Sequence, residues 1–144
     1  MPKLHLGVLH DKPEPEANGT SRVSTYEVGV FMEKDFGLFS HFAADNLQNI
    51  DDLLAQDVAN AIDKIALGQS FDRRDMFNES TSKITSQFQK YVNERQLDGY
   101  PGVPTKRARQ GLYRLKGNKK GPPRTSFIDT GTLFSDLFVW MEGV

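Results

Sequence analysis

Apolar and polar residues alternate near the start of the chain and recur at helical spacing further on, and that switch divides the sequence. Leu4, Leu6 and Val8 alternate with Lys3, His5 and Gly7, the period-two pattern of a strand with one buried face. Residues 10–22 hold two prolines, Asn18-Gly19 and several charges, which predicts a loop forming the tip of a hairpin. Val23, Tyr26, Val28, Val30 and Phe31 predict a second strand. A turn at Glu33-Lys34-Asp35-Phe36-Gly37 and a short strand or loop over 38–42 should come next.

Helical spacing begins after Ala44. Asp45 or Asn46 is placed to cap, Asp51 and Asp52 complement the helix dipole, and Leu47, Ile50, Leu54, Val58, Ala61 and Ile65 mark one continuous apolar face. Gly68 stands where a C-terminal glycine belongs. A second helix should open at Ser70 or Asp72, bury Phe77, Ile84, Phe88, Tyr91 and Val92, and end near Leu97-Asp98-Gly99. Pro101-Gly102-Val103-Pro104 forces an extended connection, and Thr105 caps a short basic helix running to about Tyr113. Gly117, Asn118 and Gly121 break the stretch beyond it into loop.

The C-terminal part is organised by Arg124-Thr125-Ser126-Phe127-Ile128-Asp129-Thr130-Gly131-Thr132-Leu133. Pro122-Pro123 holds its entry extended, Phe127 and Ile128 favour a strand, and Asp129-Thr130-Gly131 is a turn that ends the strand abruptly. Leu133, Phe134, Leu137, Phe138, Val139, Trp140 and Met141 form the densest apolar run, so the turn delivers this segment to the core. The expected architecture is α+β, one domain over 1–144. A small mixed or antiparallel sheet, built from N-terminal strands and a C-terminal strand around 137–141, packs against two long helices, and a basic extended arm covers about 101–124.

Two apolar residues followed by Asp129-Thr130-Gly131-Thr132 also resemble the catalytic loop of retroviral-type aspartic proteases, in which two such aspartates share a proton and activate water. Only 13 residues come after Gly131, too few for the flap and strands that such an enzyme needs. The turn is therefore read as structural. Asp129 accepts backbone hydrogen bonds or caps a helix begun at Thr130, and Gly131 supplies a permissive backbone.

Composition narrows the function classes. An apolar share of 38% with 26% charge is ordinary for a globular protein of aqueous compartments, and the absence of cysteine removes disulfides, thiolate metal sites and a cysteine nucleophile. No stretch approaches a membrane span, and residues 4–9 are too short for a signal-peptide core. The net charge of −1 hides an asymmetry: eight of the 18 basic residues and no acidic ones lie over 106–124, leaving ten against 19 elsewhere. Such a basic arm on an acidic body is the pattern expected of identical subunits packed head to tail. Alternatively, Lys106, Arg107, Arg109, Arg114, Lys116, Lys119, Lys120 and Arg124 form a nucleic-acid-binding segment that neutralises phosphates, with Tyr113 stacking on a base. A solvated loop without a partner is the third reading. His5, His10 and His41 lack ligand spacing, Asp51, Asp52 and Asp57 read as capping and surface charge, and the glycine-containing loops lack a phosphate cradle's context. No catalytic, metal or cofactor site is expected.

Taken in order, Gly7-Val8-Leu9, Asn18-Gly19-Thr20, Glu27-Val28-Gly29, Leu67-Gly68, the Pro- and base-rich 101–109 and Phe127-Ile128-Asp129-Thr130-Gly131-Thr132-Leu133 span nearly the whole chain. In that order the chain resembles the tailed-bacteriophage virion morphogenesis proteins, the tail-completion or head-tail neck family. It departs from their pattern at Gly37-Leu38-Phe39-Ser40-His41-Phe42, where the family has an Arg-Pro-Phe-rich segment, and in separating Pro101 from Pro104. The resemblance implies a non-enzymatic structural role in the virion neck or tail, assembled in the host cytoplasm. It also implies a homo-oligomeric ring of about six or twelve subunits, serving as connector, tail-completion protein or tail terminator between portal or adaptor and tail proteins. DNA would pass through the ring's channel.

Overall fold

The structure, a computed structural model, describes residues 1–8, 13–16, 19–113, 119–128 and 132–144. The protein is α+β. The N- and C-terminal strands find each other across the chain: β1 (Lys3–Val8) runs antiparallel to β4 (Leu137–Glu142), with Leu6 opposite Val139. A separate hairpin joins β2 (Pro13–Glu16) to β3 (Gly19–Ser24), so pairing occupies part of the region expected to be loop.

The segment from Thr25 to Phe36 is a helix, α1 (Thr25–Phe36), and not the strand that its β-branched and aromatic residues suggest. Ser24 decides this. Its hydroxyl accepts from the Glu27 N–H at 3.3 Å while the Glu27 carboxylate accepts from the Ser24 N–H at 3.1 Å, a reciprocal cap that outweighs weak local propensity. Residues 38–42 are helical too, within α2 (Leu38–Asp45), entered through Gly37 at φ +64°. The last turn of α1 caps this helix, because the Glu33 carboxylate accepts the N–H groups of Phe39 and Ser40 at 2.7 and 3.1 Å. Burial would raise the Glu33 pKa, but the hydrogen bonds from Ser40 and Phe39 outweigh it and hold the carboxyl below its ordinary value.

The two long helices are α3 (Leu47–Ala66) and α4 (Asn78–Asn93), joined by a 3-10 turn at Arg73–Asp75 that Asp72 caps. All five residues expected on the inner face of α4, including Phe77 at its cap, are buried. On α3 the outcome is split. Ile50 and Ala61 are buried and Leu54 is half-buried, but Leu47, Val58 and Ile65 are exposed. Neither Asp45 nor Asn46 caps this helix with its side chain. Asp57, expected on the surface, is buried: the Ser80 N–H donates to it at 3.0 Å, and the Ser80 hydroxyl stands between its carboxylate and the Leu53 carbonyl.

Sheet and helices share one core, in which Leu38, Phe42, Ile84, Phe88 and Val139 are fully enclosed. The β4 backbone docks on α4, where the Val139 N–H donates to the Thr85 hydroxyl at 3.1 Å. Residues 124–128 form no strand. Phe127 is buried at φ +69°, a conformation incompatible with an extended ladder, and its ring meets Phe36 edge-on at 5.5 Å. A short helix, α6 (Thr132–Asp136), leads into β4. The expected turn at Asp129, Thr130 and Gly131 lies outside the described residues.

Candidate functional site

The basic segment is built on α5 (Lys106–Arg109), a single turn that starts where Thr105 accepts the Ala108 N–H at 3.2 Å. Thr105 is fixed in turn, since its own N–H donates to the Ser126 hydroxyl at 3.1 Å. The helix is closed off at Gly111, whose φ of +63° allows a paired C-terminal arrangement: Gly111 N–H to Ala108 O at 3.1 Å and Leu112 N–H to Arg107 O at 2.9 Å. It therefore ends short of Tyr113, where the sequence places its limit.

The segment is not an extended arm. Its outgoing and returning legs are bonded to each other, Gly121 N–H to Gln110 O at 3.1 Å and Arg124 N–H to Ala108 O at 2.9 Å, so the basic loop has a closed base. Arg124 is the latch of that base. Only 8% exposed, it donates from Nε to the Leu112 carbonyl at 2.6 Å and from a terminal nitrogen to the Thr125 and Ile128 carbonyls at 3.0 and 3.3 Å. Its guanidinium also lies 5.2 Å from the centre of the Tyr113 ring. These contacts correct the expectation that Arg124 faces a partner or DNA, and they occupy Tyr113, the residue expected to stack on a base. The double proline before Arg124 is a signal that the chain here is held, but nothing in the sequence shows which carbonyls the guanidinium meets.

The remaining cations divide simply. Lys106, Arg107, Arg109, Lys119 and Lys120 are exposed, and among the described residues none of the five enters an ion pair. Arg114 and Lys116 lie outside the described residues. Closure of the base brings Lys119 and Lys120 back toward α5, so cations dispersed along the sequence become one cationic projection. No family model, curated protein or solved structure matches this chain. Among the described residues no three His, Asp or Glu side chains are grouped to hold a metal ion, and no helix is long and apolar enough to cross a membrane.

A second constellation is not legible in the sequence. The Asp45 carboxylate accepts from the Tyr91 hydroxyl at 2.5 Å and the Tyr100 hydroxyl at 2.6 Å, and His41 stacks on Tyr100 at 3.8 Å between ring centres. Hydrogen bonds from Tyr100 and then Tyr91 hold the Asp45 carboxyl below its ordinary value. Burial and then the Asp45 carboxylate push the Tyr91 phenol up, and the same carboxylate raises Tyr100. The partners are 46 and 55 residues from Asp45, so no local pattern announces them. Their effect is to tie the end of α2 to α4 and to the segment that leads into α5.

Proposed function

We propose that this protein is a non-enzymatic structural subunit of the head-tail junction of a tailed-phage particle, assembling as a ring between the capsid-side connector and the tail. The observation that carries the reading is the latched cationic projection on a body with an excess of acid, because opposite charges on different faces of one subunit favour head-to-tail packing. The ordered motifs from Gly7-Val8-Leu9 to Asp129-Thr130-Gly131 support the same reading by resemblance. Its direct neighbours would be further copies, portal or adaptor proteins and tail proteins, in the neck of the virion. Phosphate binding by the same five exposed cations is the second reading, favoured by their exposure, although Tyr113 is engaged by Arg124.

Reversal of Lys106, Arg107, Arg109, Lys119 and Lys120 to glutamate tests both. All five are exposed, so circular dichroism should report an unchanged fold while native mass shows that assembly is lost. If the cations serve DNA instead, the assembly persists and DNA affinity falls with a shallower dependence on salt. Loss of the fold overturns both readings.

A further inference from the structure

The apolar arc of α3 is wider than its own chain covers. Ile50, Leu54 and Ala61 face the core, but Val58, Ile62 and Ile65, at i, i+4 and i+7, form an adjacent outward stripe, with Ile62 and Ile65 59% and 62% exposed. Leu47, in helical register with Val58 and 58% exposed, extends it to the start of the helix. A 20-residue helix is roughly 30 Å long, and the stripe runs along most of it. Scattered apolar residues on a surface need no explanation, but a stripe in helical register is a contact surface.

The charges beside the stripe select its occupant. Asp51, Asp52 and Asp63 are exposed on α3 against the single cation Lys64. Two copies of α3 packed on each other would bring aspartates together, so a symmetric α3 pair is disfavoured. The same chain carries the complement elsewhere, in the latched projection of Lys106, Arg107, Arg109, Lys119 and Lys120, with Leu112 half-buried at its base. We propose that the outward face of α3 receives a second copy of this chain, whose cationic projection lies along the aspartates while the stripe supplies the desolvated centre of the contact. A stable interface needs on the order of 800 Å² per partner, so the contact uses stripe and charged rim together. The inference rests on the head-to-tail reading above and names the surface that receives the projection.

Because the contact joins two different faces, two defective copies should repair one another once. One variant of the full chain carries Ile62→Asp and Ile65→Asp; the other carries the five charge reversals. Circular dichroism checks the fold of each. Alone, each should be monomeric at concentrations where the wild type assembles. Mixed, they should form a one-to-one dimer that grows no further, because only one intact projection and one intact stripe remain. Self-association of the charge-reversed variant would overturn the proposal in favour of a symmetric α3 contact. Persistence of the wild-type assembly size in the Ile62→Asp, Ile65→Asp variant would overturn it while leaving the ring reading intact. A mixed dimer alongside open filaments of wild type would uphold this contact and overturn the ring. A wild-type monomer at all concentrations overturns both. Should Ile65→Asp disturb the fold, Ile62→Asp alone carries the test.

Discussion

At the scale of single residues, Gly111 shows how backbone geometry and space combine. Any side chain there would meet the φ of +63° and would place Cβ 2.3 Å from the Pro122 carbonyl oxygen and 2.5 Å from that of Gly121. Gly68 has nearly the same backbone, φ +69°, but nothing within 4 Å. Gly68→Ala should therefore cost about 1 kcal/mol, the backbone term alone, whereas Gly111→Ala should cost about 2 to 3 kcal/mol and expose the loop to protease. Thermal unfolding of the two variants isolates the clash. Equal losses would show that the legs of the basic loop are not packed together. Arg95 and Phe127 occupy the same left-handed region without being glycine, at φ 59° and 69°. Arg95 closes α4 through the local bonds of Arg95 N–H to Val92 O and Gln96 N–H to Tyr91 O, and Phe127 is held by burial, so a helix cap sustains the first and tertiary packing the second against local preference.

At the scale of elements, the legible part of the sequence is whatever a local period or a cap determines. The strand at β1, the long helix α3, the inner face of α4, the C-terminal strand and the Thr105 cap all come from such signals. The departures have equally physical causes. Val28, Val30 and Phe31 point to a strand where α1 forms, because β preference is easily outweighed by the Ser24-x-x-Glu27 box, and the α3 face looks wholly internal because period does not count the neighbours available to cover it. The closed loop has the sequence of an extended arm because its legs pair across 11 to 16 residues. Arg124 is where that closure can be broken. Arg124→Leu removes donors from the Leu112, Thr125 and Ile128 carbonyls and should destabilise by about 2 to 4 kcal/mol. Arg124→Lys should recover only part of this, because an ammonium cannot reproduce the planar fork. Lys120→Leu, at an exposed cation four residues earlier, should stay within about 0.5 kcal/mol. Urea unfolding of the three separates a latch from general loss of positive charge. Equal effects for Arg124→Leu and Lys120→Leu would remove Arg124 from the loop's architecture.

At the scale of the whole molecule, the Asp45 cluster joins the helical core to the platform that carries the basic loop, and its titration should shape stability at both ends of the pH range. The Asp45 pKa is lowered on folding, so its contribution is present above the ordinary value of 3.8 and is lost as pH falls through the lower folded value. Glu33 acts in the same direction from its ordinary 4.5. The Tyr91 and Tyr100 pKa values are raised on folding, so their contribution is complete below the ordinary value of 10.0 and declines as pH rises from there toward the folded values. Melting temperature should accordingly be flat near neutrality and fall in both acid and alkali. Asp45→Asn identifies the source, because it removes the carboxylate that both phenols share. The gap between wild type and variant should be widest between about pH 5 and 9, between the two titrations. It should narrow in acid as Asp45 protonates in the wild type, and in alkali as the wild type resists phenol ionisation at the expense of its folded state. A gap that stays constant across the whole range would mean that Asp45 supports the fold by shape and not by charge, and that the link from the core to the basic loop is insensitive to pH.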